Sequence, residues 1–227
     1  MNPTRRARPL LGTLVEIGAW GADDGMALAA AFAAIAEVQA RLSRFEPGSE
    51  LSRFHALPAG AALALSDDGV AVLQAAAELQ QASGGLFDIT QGSGPAAWHL
   101  QGRQLHKHGS SVRLDLGGIA KGHAVDRAVA ALQACGVDSG WVNAGGDLRA
   151  FGHAELPVRL RDEAGGGVRE FARLSDGALA TSLLAGRHVS VAAPSCLWAD
   201  ALTKVVALSG DASHPALATR GARGFMH

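Results

Sequence analysis

The sequence of 227 residues has no tyrosine, only two cysteines and a formal net charge of −1. The shortage of aromatic stacking platforms and of excess positive charge leaves no basis for a nucleic-acid partner. Cys135 and Cys196 form no C-x-x-C pair and belong to no His/Cys cluster at zinc spacing, so neither a disulfide framework nor a structural zinc site is indicated. We expect both cysteines to be small buried side chains.

The chain also lacks a long apolar stretch. No window approaches the roughly 18 apolar residues of a membrane-spanning helix. At the N-terminus, Arg5, Arg6 and Arg8 precede an apolar run that Gly12 and Glu16 interrupt before it reaches the length of a signal-peptide core. No lipidated cysteine follows a leader either. The sequence therefore predicts a cytoplasmic protein without a membrane span.

Helical periodicity is clearest in the first half of the chain. Apolar residues at three- and four-residue steps between Leu28 and Leu42 predict a long helix that ends near Ser43, with Asp23 or Asp24 as its cap. Ser49 is expected to cap a one-turn helix. Ser66 starts a further helix, which Gly84 and Gly85 close.

Hairpin patterns separate these helices. The polar segment 101–108 predicts one hairpin, and residues 140–152 predict two strands with a Gly-Gly bend between them. Residues 158–160 and 168–171 predict a further hairpin around Gly165-Gly166-Gly167. Since helices and hairpins mix without a regular β-α-β repeat, the predicted fold class is α+β, in a single domain over residues 1–227. Residues 1–8 and 215–227 are expected to be flexible ends.

The stretch Asp115–Asp126 (Asp-Leu-Gly-Gly-Ile-Ala-Lys-Gly-His-Ala-Val-Asp) combines glycines with the start of a helix. Alternating apolar residues over 112–116 predict a strand before it, and a helical pattern runs from Ala124 to Gly136. Backbone amides, a helix N-terminus and Lys121 together suit an anion. The alternative is an ordinary strand-to-helix turn with a solvated lysine, because the stretch matches neither a phosphate-binding P-loop nor a dinucleotide fingerprint.

Three histidines, His99, His106 and His108, lie close together in a polar, turn-rich segment. They are compatible with a metal site. Solvated loop histidines are the favoured interpretation, because no carboxylate lies nearby in the sequence.

Several short motifs, taken in order, resemble the ApbE-type FAD:protein FMN transferases, also called flavin transferases. The motifs are Gly12-Thr13, the segment 43–54, Phe87-Asp88-Ile89-Thr90, Asp115-Leu-Gly-Gly-Ile-Ala-Lys-Gly with Asp126, Asn143-Ala-Gly-Gly-Asp147, Ala180-Thr181-Ser182 and Ala199-Asp200-Ala201-Leu202. Each is weak alone, but their shared order and spacing extend from about residue 11 to 210. The resemblance raises the anion-binding interpretation of the glycine turn above its alternative.

The resemblance implies a T-fold-like α+β architecture of sheet and helices with a central FAD cleft. It also implies Mg²⁺ at the FAD pyrophosphate and attack on that pyrophosphate by a Thr or Ser hydroxyl of an acceptor protein, which becomes flavinylated. A metal ion would stabilise the charge that develops on the leaving AMP.

The resemblance gives candidate roles to individual residues, and two departures from the family pattern, described below, add His188 and Thr203 as substitutes. The catalytic candidates are Lys121, Asp200 and His188. The FAD-binding candidates are Ser43, Phe45, Thr90, Gly117, Gly118, Lys121, Asp126, Asp147, Thr181 and Ser182. The metal-ligand candidates are the carbonyl of Ala120, Asp200 and Thr203. For Asp126 an alternative stays open, in which it pairs with Arg127 or Arg41 on a helix face.

Two departures from the family pattern stand out. Where the family has a Thr four residues after Asp200, this chain has Lys204, whose ammonium either takes the place of the metal or points away and leaves Thr203 or water to complete the site. The family's His-Ile-Ile-Asp-Pro-x-Thr-Gly loop, with its candidate general base, is absent between Ser182 and Val189. His188 is then either a replacement base or a structural histidine within a strand.

Three functions follow as hypotheses. The first is transfer of FMN from FAD to a protein. The second is hydrolysis of the FAD pyrophosphate to FMN and AMP, with water in place of the hydroxyl. The third is a non-catalytic flavin or nucleotide binder, which the absent loop would explain.

Overall fold

The computed structural model describes residues 3–21, 25–153, 155–161 and 166–227. The strands in these ranges are β1 (Thr4–Leu10), β2 (Thr13–Trp20), β3 (Ala62–Ala64), β4 (Trp98–Gln101), β5 (Gln104–Lys107), β6 (Ser139–Ala144), β7 (Asp147–Phe151), β8 (Leu156–Arg161), β9 (Val168–Leu174), β10 (Gly177–Leu184), β11 (Arg187–Ala193) and β12 (Arg223–Met226). The helices are α1 (Met26–Leu42), α2 (Glu50–Ala56), α3 (Asp67–Ala82), α4 (Ala120–Ala134), α5 (Cys196–Ser209) and α6 (Pro215–Ala218). This mixture of helices and antiparallel hairpins confirms the predicted α+β class.

A seven-stranded antiparallel sheet in the order β1-β2-β6-β7-β10-β11-β12 positions the candidate site. Side chains alternate between the two faces of a sheet, and Val15, Ile17 and Ala19 of β2 are completely buried on one face. On that side α4 packs on β6 and β7, α5 packs on β10 and β11, and α1 packs on α4. The main hydrophobic core therefore lies between this face and the three helices.

The opposite face of the sheet meets the β8–β9 hairpin. Phe171 of β9 packs edge-on against Phe225 of β12, with 5.2 Å between the ring centroids. A second, three-stranded sheet in the order β3-β5-β4 contains the hairpin predicted over 101–108. The predicted hairpin at 158–171 forms as well, although Gly165 of its connection lies outside the described residues.

A two-residue turn joins β10 directly to β11, at the place where the family loop is absent. Ala185 and Gly186 have φ angles of 51° and 72°, the pair of positive values that a type I′ hairpin turn requires. The strand register places this turn at the same end of the sheet as the β6–β7 turn, because Ala180 pairs with Asp147 and β10 continues four residues beyond it.

Short-range signals placed the starts of α2 and α3 and the end of α1 correctly. The side chain of Ser49 accepts a hydrogen bond from the Ser52 amide at 3.0 Å, and that of Ser66 accepts one from the Gly69 amide at 3.2 Å. α1 ends at Leu42, as predicted, and the proposed cap at Asp23 or Asp24 lies outside the described residues. Within the described ranges, no helix combines the length and the apolarity needed to cross a bilayer.

Buried Lys107 binds the C-terminal end of α2, a contact that was not predicted from the sequence. Its ammonium donates to the carbonyl oxygens of His55 and Leu57, both at 2.8 Å. Burial lowers the pKa of Lys107, and Arg113 lowers it further. The lysine satisfies carbonyls at the end of α2 that have no partner within the helix.

The predicted strand over residues 112–116 is wrong. Val112, Leu114 and Leu116 are buried in alternation, but the segment joins no sheet. Instead, the Asp115 amide donates to the Ile89 carbonyl at 2.7 Å, and the Leu114 amide donates to Nε2 of His55 at 3.0 Å. An extended segment that lies over a core shows alternating burial even when it is not paired in a sheet. Its backbone amides can then donate to single acceptors elsewhere in the protein rather than to a neighbouring strand.

Two further expectations are corrected. Within the segments expected to be flexible ends, residues 4–8 lie in β1, where Thr4–Leu10 pairs with β2 along its whole length, and Arg223–Met226 pairs with β11. Cys196 is buried as expected, but Cys135 is exposed, since it follows the last residue of α4 where the helix reaches the surface.

Candidate functional site

The candidate site begins with an ion pair between the first turn of α4 and the first residue of β7. The Lys121 ammonium donates to Oδ2 of Asp147 at 2.5 Å. The tight turn at Gly145 and Gly146 brings β7 to this position, and a Cβ at Gly145 would lie 2.5 Å from Oγ1 of Thr13. Asp147 is only 2% exposed, so its charge depends on the neighbouring cations.

Helix α5 adds a second carboxylate to this pair. Oδ2 of Asp200, which is completely buried, accepts a hydrogen bond from the Gly122 amide at 3.2 Å. The contact requires glycine, because a Cβ at position 122 would lie 2.2 Å from the Cys196 carbonyl oxygen and 2.9 Å from Cβ of Asp200. The close crossing of α4 and α5 therefore sets the position of Asp200.

Lys204, one helical turn after Asp200, points into the same cluster. Its ammonium donates to Oδ1 of Asp200, to the Asp200 carbonyl oxygen at 3.1 Å and to Oγ1 of Thr203 at 3.1 Å. Its aliphatic stem crosses Gly118, where a Cβ would lie 3.1 Å from Cε of the lysine. Of the two orientations that the sequence left open, the structure has the inward one.

Burial and mutual interaction set the charges of the cluster. Burial raises the pKa of Asp147 to about 6, and the Asp200 carboxylate adds to this effect, while Lys121 and Lys204 act against it. Burial alone would lower the pKa of Lys121, but the carboxylates of Asp147 and Asp200 raise it overall. Lys121 therefore remains cationic near neutral pH. Burial also raises the pKa of the Cys196 thiol, which makes it a poor nucleophile.

A cleft of about 490 Å³ opens beside this cluster. The predicted residues that line it are Ser43, Phe45, Gly117, Ala120 and Lys121. The ring of Phe45 is 80% exposed and lies 4.8 Å from the Arg44 guanidinium. The lining of the cleft thus combines an exposed aromatic surface with the cationic side chain of Lys121.

The glycine turn holds its shape through its own amides rather than leaving them free. The Gly117 amide donates to Oδ1 of Asp115 at 2.8 Å, and those of Ile119 and Ala120 donate to the Leu116 carbonyl at 3.1 and 2.8 Å. α4 begins at Ala120, four residues before the predicted start. The amides of Gly117, Ile119 and Ala120 therefore already have acceptors within the turn, and the side chains of Lys121 and Arg44 contribute positive charge to the lining of the cleft.

Sequence reasoning missed Arg44 and Asp115 as residues of the cleft. The Arg44 guanidinium donates to Oδ2 of Asp115 at 3.0 Å, and the Gln91 side-chain amide donates to the same oxygen at 3.2 Å. Asp115 thereby connects its own segment of the cleft lining to the segments that contain Arg44 and Gln91. Arg44 lies within the quoted segment 43–54, so an anion-site interpretation of that segment would have selected it.

Two of the predicted FAD-binding residues support the structure elsewhere. Oγ1 of Thr90, which is completely buried, donates to Asp88 at 2.6 Å and accepts from the Gly94 amide at 2.9 Å. Asp126 accepts from the amides of Cys196 and Leu197, both at 2.9 Å, and from Arg149.

Asp126 thus caps α5 from α4 and pairs with neither Arg127 nor Arg41. Those two arginines bind Asp68 instead, which also accepts from Nε2 of His123 at 2.9 Å. The alternative that the sequence left open was correct in giving Asp126 a structural ion pair, and wrong about its partner.

His188 and Thr181 lie on the far side of the sheet from Asp147. Ala180 is paired with Asp147 and shares its face, so the next residue, Thr181, points the other way, and its hydroxyl bonds to Ser190 at 2.9 Å. His188 lies two residues before Ser190 on β11 and therefore shares the face of Thr181, and the centroid of its ring lies 5.0 Å from that of His227. Ser182 is on the face of Asp147. The prediction of His188 as a base at this cluster therefore fails for a geometric reason.

The three clustered histidines lie on the β4–β5 hairpin and contact one another. Nδ1 of His99 and Nε2 of His108 are 2.7 Å apart, and the rings of His99 and His106 stack at 4.3 Å. Parallel stacking does not direct three ring nitrogens at a common point, and no group of three potential ligands in the described residues has metal-binding geometry.

Comparison with known proteins gives consistent results. The model of the ApbE family matches residues 11–106 and 97–183. A curated protein of Rhodobacter capsulatus, named FAD:protein FMN transferase, is 27% identical over 195 residues, which are 70% of this chain and 37% of that protein. The chain therefore spans less than two fifths of the length of this relative.

Solved structures share the fold at low identity. A mutant form of the flavin transferase ApbE from Vibrio cholerae has a TM-score of 0.88 at 21% identity and covers 100% of this chain and 94% of its own. The apo flavinyl transferase ApbE from Pseudomonas stutzeri has a TM-score of 0.81 at 22% identity, with 99% and 90% covered. The ApbE protein of Thermotoga maritima has a TM-score of 0.86 at 20% identity, with 99% and 94% covered. Since the family model matches well over half of its length, the chain belongs to the ApbE family.

Proposed function

We propose that this chain transfers FMN from FAD to a Thr or Ser hydroxyl of an acceptor protein, the activity named for its Rhodobacter capsulatus relative. The observation that carries the proposal is the cleft of about 490 Å³ that is lined by Lys121, whose ammonium pairs with buried Asp147 next to buried Asp200. Such a volume lies in the range of ligand-binding pockets. The exposed Phe45 ring offers a stacking surface for a flat heterocycle.

The proposed chemistry requires positive charge beside the FAD pyrophosphate. The acceptor hydroxyl oxygen attacks the phosphorus on the flavin side, the bond from that phosphorus to the bridging oxygen breaks, and AMP leaves with the electron pair while the hydroxyl proton is released. Lys121 is suited to stabilise the phosphoryl oxygens, and Arg44 lines the same cleft.

The predicted Mg²⁺ ligands do not fit a metal ion in this arrangement. Oδ1 of Asp200 and Oγ1 of Thr203 already accept hydrogen bonds from the Lys204 ammonium. A divalent cation at the same oxygens would lie close to a positive charge and would have to displace it. The proposed chemistry therefore relies on the lysine ammonium groups rather than on a metal ion.

Of the three catalytic candidates, Lys121 and Asp200 stay in the proposal. Lys121 would contact the phosphates, and Asp200 would hold the ammonium of Lys204 in position through their ion pair. His188 is left out, because the sheet separates it from Asp147. Among the FAD-binding candidates, we propose Ser43, Phe45, Gly117, Gly118 and Lys121.

Covalent flavin on a second protein tests this proposal. The purified chain would be incubated with FAD and a cell extract, whose proteins are then resolved under denaturing conditions and scanned for flavin fluorescence. We expect a fluorescent band whose Thr or Ser peptide has gained the mass of FMN less water, together with released AMP. A Lys121→Met variant should lose both signals, and a wild-type reaction with neither signal would refute the proposal.

The other two functions give different results in the same experiment. AMP and FMN without a labelled protein would indicate hydrolysis of FAD. Retention of FAD without AMP would indicate a flavin binder. The cytoplasmic location stays a prediction, which fractionation of cells that produce the chain would test.

A further inference from the structure

We propose that the Lys204 ammonium is the resident cation of this site and makes the binding of FAD independent of divalent metal. The identity of the ligand in this inference rests on the proposed function. The position of the ammonium does not, because it follows from contacts within the protein.

The surroundings of the ammonium are those of a bound cation. A lysine ammonium has three N–H donors and no acceptor. Three oxygen atoms lie within hydrogen-bonding distance of it, namely Oδ1 of Asp200, the Asp200 carbonyl oxygen at 3.1 Å and Oγ1 of Thr203 at 3.1 Å. A carboxylate, a carbonyl and a hydroxyl are also the oxygen ligands that Mg²⁺ prefers. The lysine thus uses the donor set that a metal ion would need.

Packing holds the ammonium in this place. The side chain of Lys204 is 21% exposed and that of Asp200 is completely buried. The stem of the lysine lies across Gly118, where no side chain obstructs it, and the preceding residue, Gly117, lines the cleft. The charge is therefore fixed next to the cleft rather than free in solvent.

The balance of charge favours one fixed monovalent cation. Asp147 and Asp200 contribute two carboxylates, and Lys121 and Lys204 contribute two ammonium groups, so the cluster is formally neutral. With threonine at position 204, one carboxylate would lose its ammonium, and a second hydroxyl would join the oxygen atoms around the vacated place. Lys204→Thr should therefore create a divalent metal site that the natural sequence lacks.

Uptake of Mn²⁺ in the absence of FAD tests this directly. Free Mn²⁺ would be measured by electron paramagnetic resonance during titration of the wild-type protein, Lys204→Thr and Lys204→Met. The Met variant keeps the aliphatic stem over Gly118 but adds no oxygen ligand, so it controls for loss of the charge alone. We expect stoichiometric uptake by Lys204→Thr only, with circular dichroism to establish that all three proteins are folded.

Binding of FAD provides the second readout. In EDTA and in excess Mg²⁺ the wild-type Kd should agree within about twofold, whereas Lys204→Thr should lose about tenfold in EDTA, or about 1.4 kcal/mol, and recover with Mg²⁺. Lys204→Met should weaken binding in both buffers. Stoichiometric Mn²⁺ uptake by the wild type, no uptake by Lys204→Thr, or a tenfold wild-type response to EDTA would each overturn the inference. If no protein binds FAD while the Mn²⁺ pattern holds, the proposed function fails and the assignment of Lys204 stands.

Discussion

Asp126 provides the sharpest contrast between a sequence-based role and a structural one. The family resemblance places it at the flavin, whereas the structure shows it capping α5 through the amides of Cys196 and Leu197 and pairing with Arg149. We predict that Asp126→Ala lowers the stability of the protein and leaves the affinity for FAD nearly unchanged.

The magnitude follows from the contacts that Asp126 makes. Loss of a helix cap costs about 0.5–2 kcal/mol, and an amide left buried without an acceptor costs about 1–3 kcal/mol. The ion pair with Arg149 adds at most about 1 kcal/mol, because the two side chains are 17% and 27% exposed and solvent screens them. A total near 3 kcal/mol would lower the Tm of a chain of this size by about 6–12 °C.

Differential scanning calorimetry and titration with FAD at 15 °C measure the two effects separately. Asp126→Asn keeps one side-chain oxygen as an acceptor and is the matched control, for which we expect about half of the loss in stability. An Asp126→Ala protein with an unchanged Tm and a Kd for FAD weakened by more than about tenfold would refute the structural role.

Three further predictions concern other parts of the fold. Although burial raises the pKa of Asp68, hydrogen bonds from His123 and Arg41 lower it overall. The Asp68 carboxylate should therefore stabilise the fold fully above the pKa that it has in the unfolded chain, about 3.9. This stabilisation should be lost as the pH falls through the lower pKa of Asp68 in the folded protein. In urea titrations, the difference in unfolding free energy between the wild type and Asp68→Asn should accordingly shrink between pH 6 and pH 3. Gly122→Ala places a Cβ 2.2 Å from a backbone oxygen and should destabilise the protein by more than about 2 kcal/mol. Gly118→Ala places a Cβ 3.1 Å from the flexible stem of Lys204 and should destabilise the protein less. Equal urea midpoints for the two variants would contradict this difference. His188→Gln should keep the rate of FMN transfer within about twofold, and a loss of about a hundredfold, the scale of general-base catalysis, would show that His188 reaches the reacting hydroxyl.

The helices and hairpins near strong local signals could be predicted from the sequence. Ser49 and Ser66 cap their helices as expected because the interaction lies within three residues of the chain. The strand predicted at 112–116 failed because alternating burial is common to a paired strand and to a single extended segment over a core. The hydrogen-bond partners that distinguish the two, Ile89 and His55, are distant in sequence.

The candidate site shows the same division. Lys121, Asp147 and Asp200 could be selected from their motifs, and the structure brings them together through the contact of α4 with α5. His188 and Thr181 could not be assigned correctly, because the face of a strand residue depends on the register of β10 against β7. That register is a property of the whole sheet, and a shift of one residue would reverse both side chains.

The sequence by itself determined the α+β class, the ends of several helices and the choice of an ApbE-like chemistry, since these depend on periodicity, on short-range capping and on the order of motifs. Only the tertiary structure decided that the amides of Gly117, Ile119 and Ala120 have acceptors within the turn, that Asp126 caps α5, and that Lys204 points inward. The physical reason is that each of these outcomes depends on which distant group supplies the hydrogen-bond partner, and such partners are chosen by the packing of α4, α5 and the sheet rather than by neighbours along the chain.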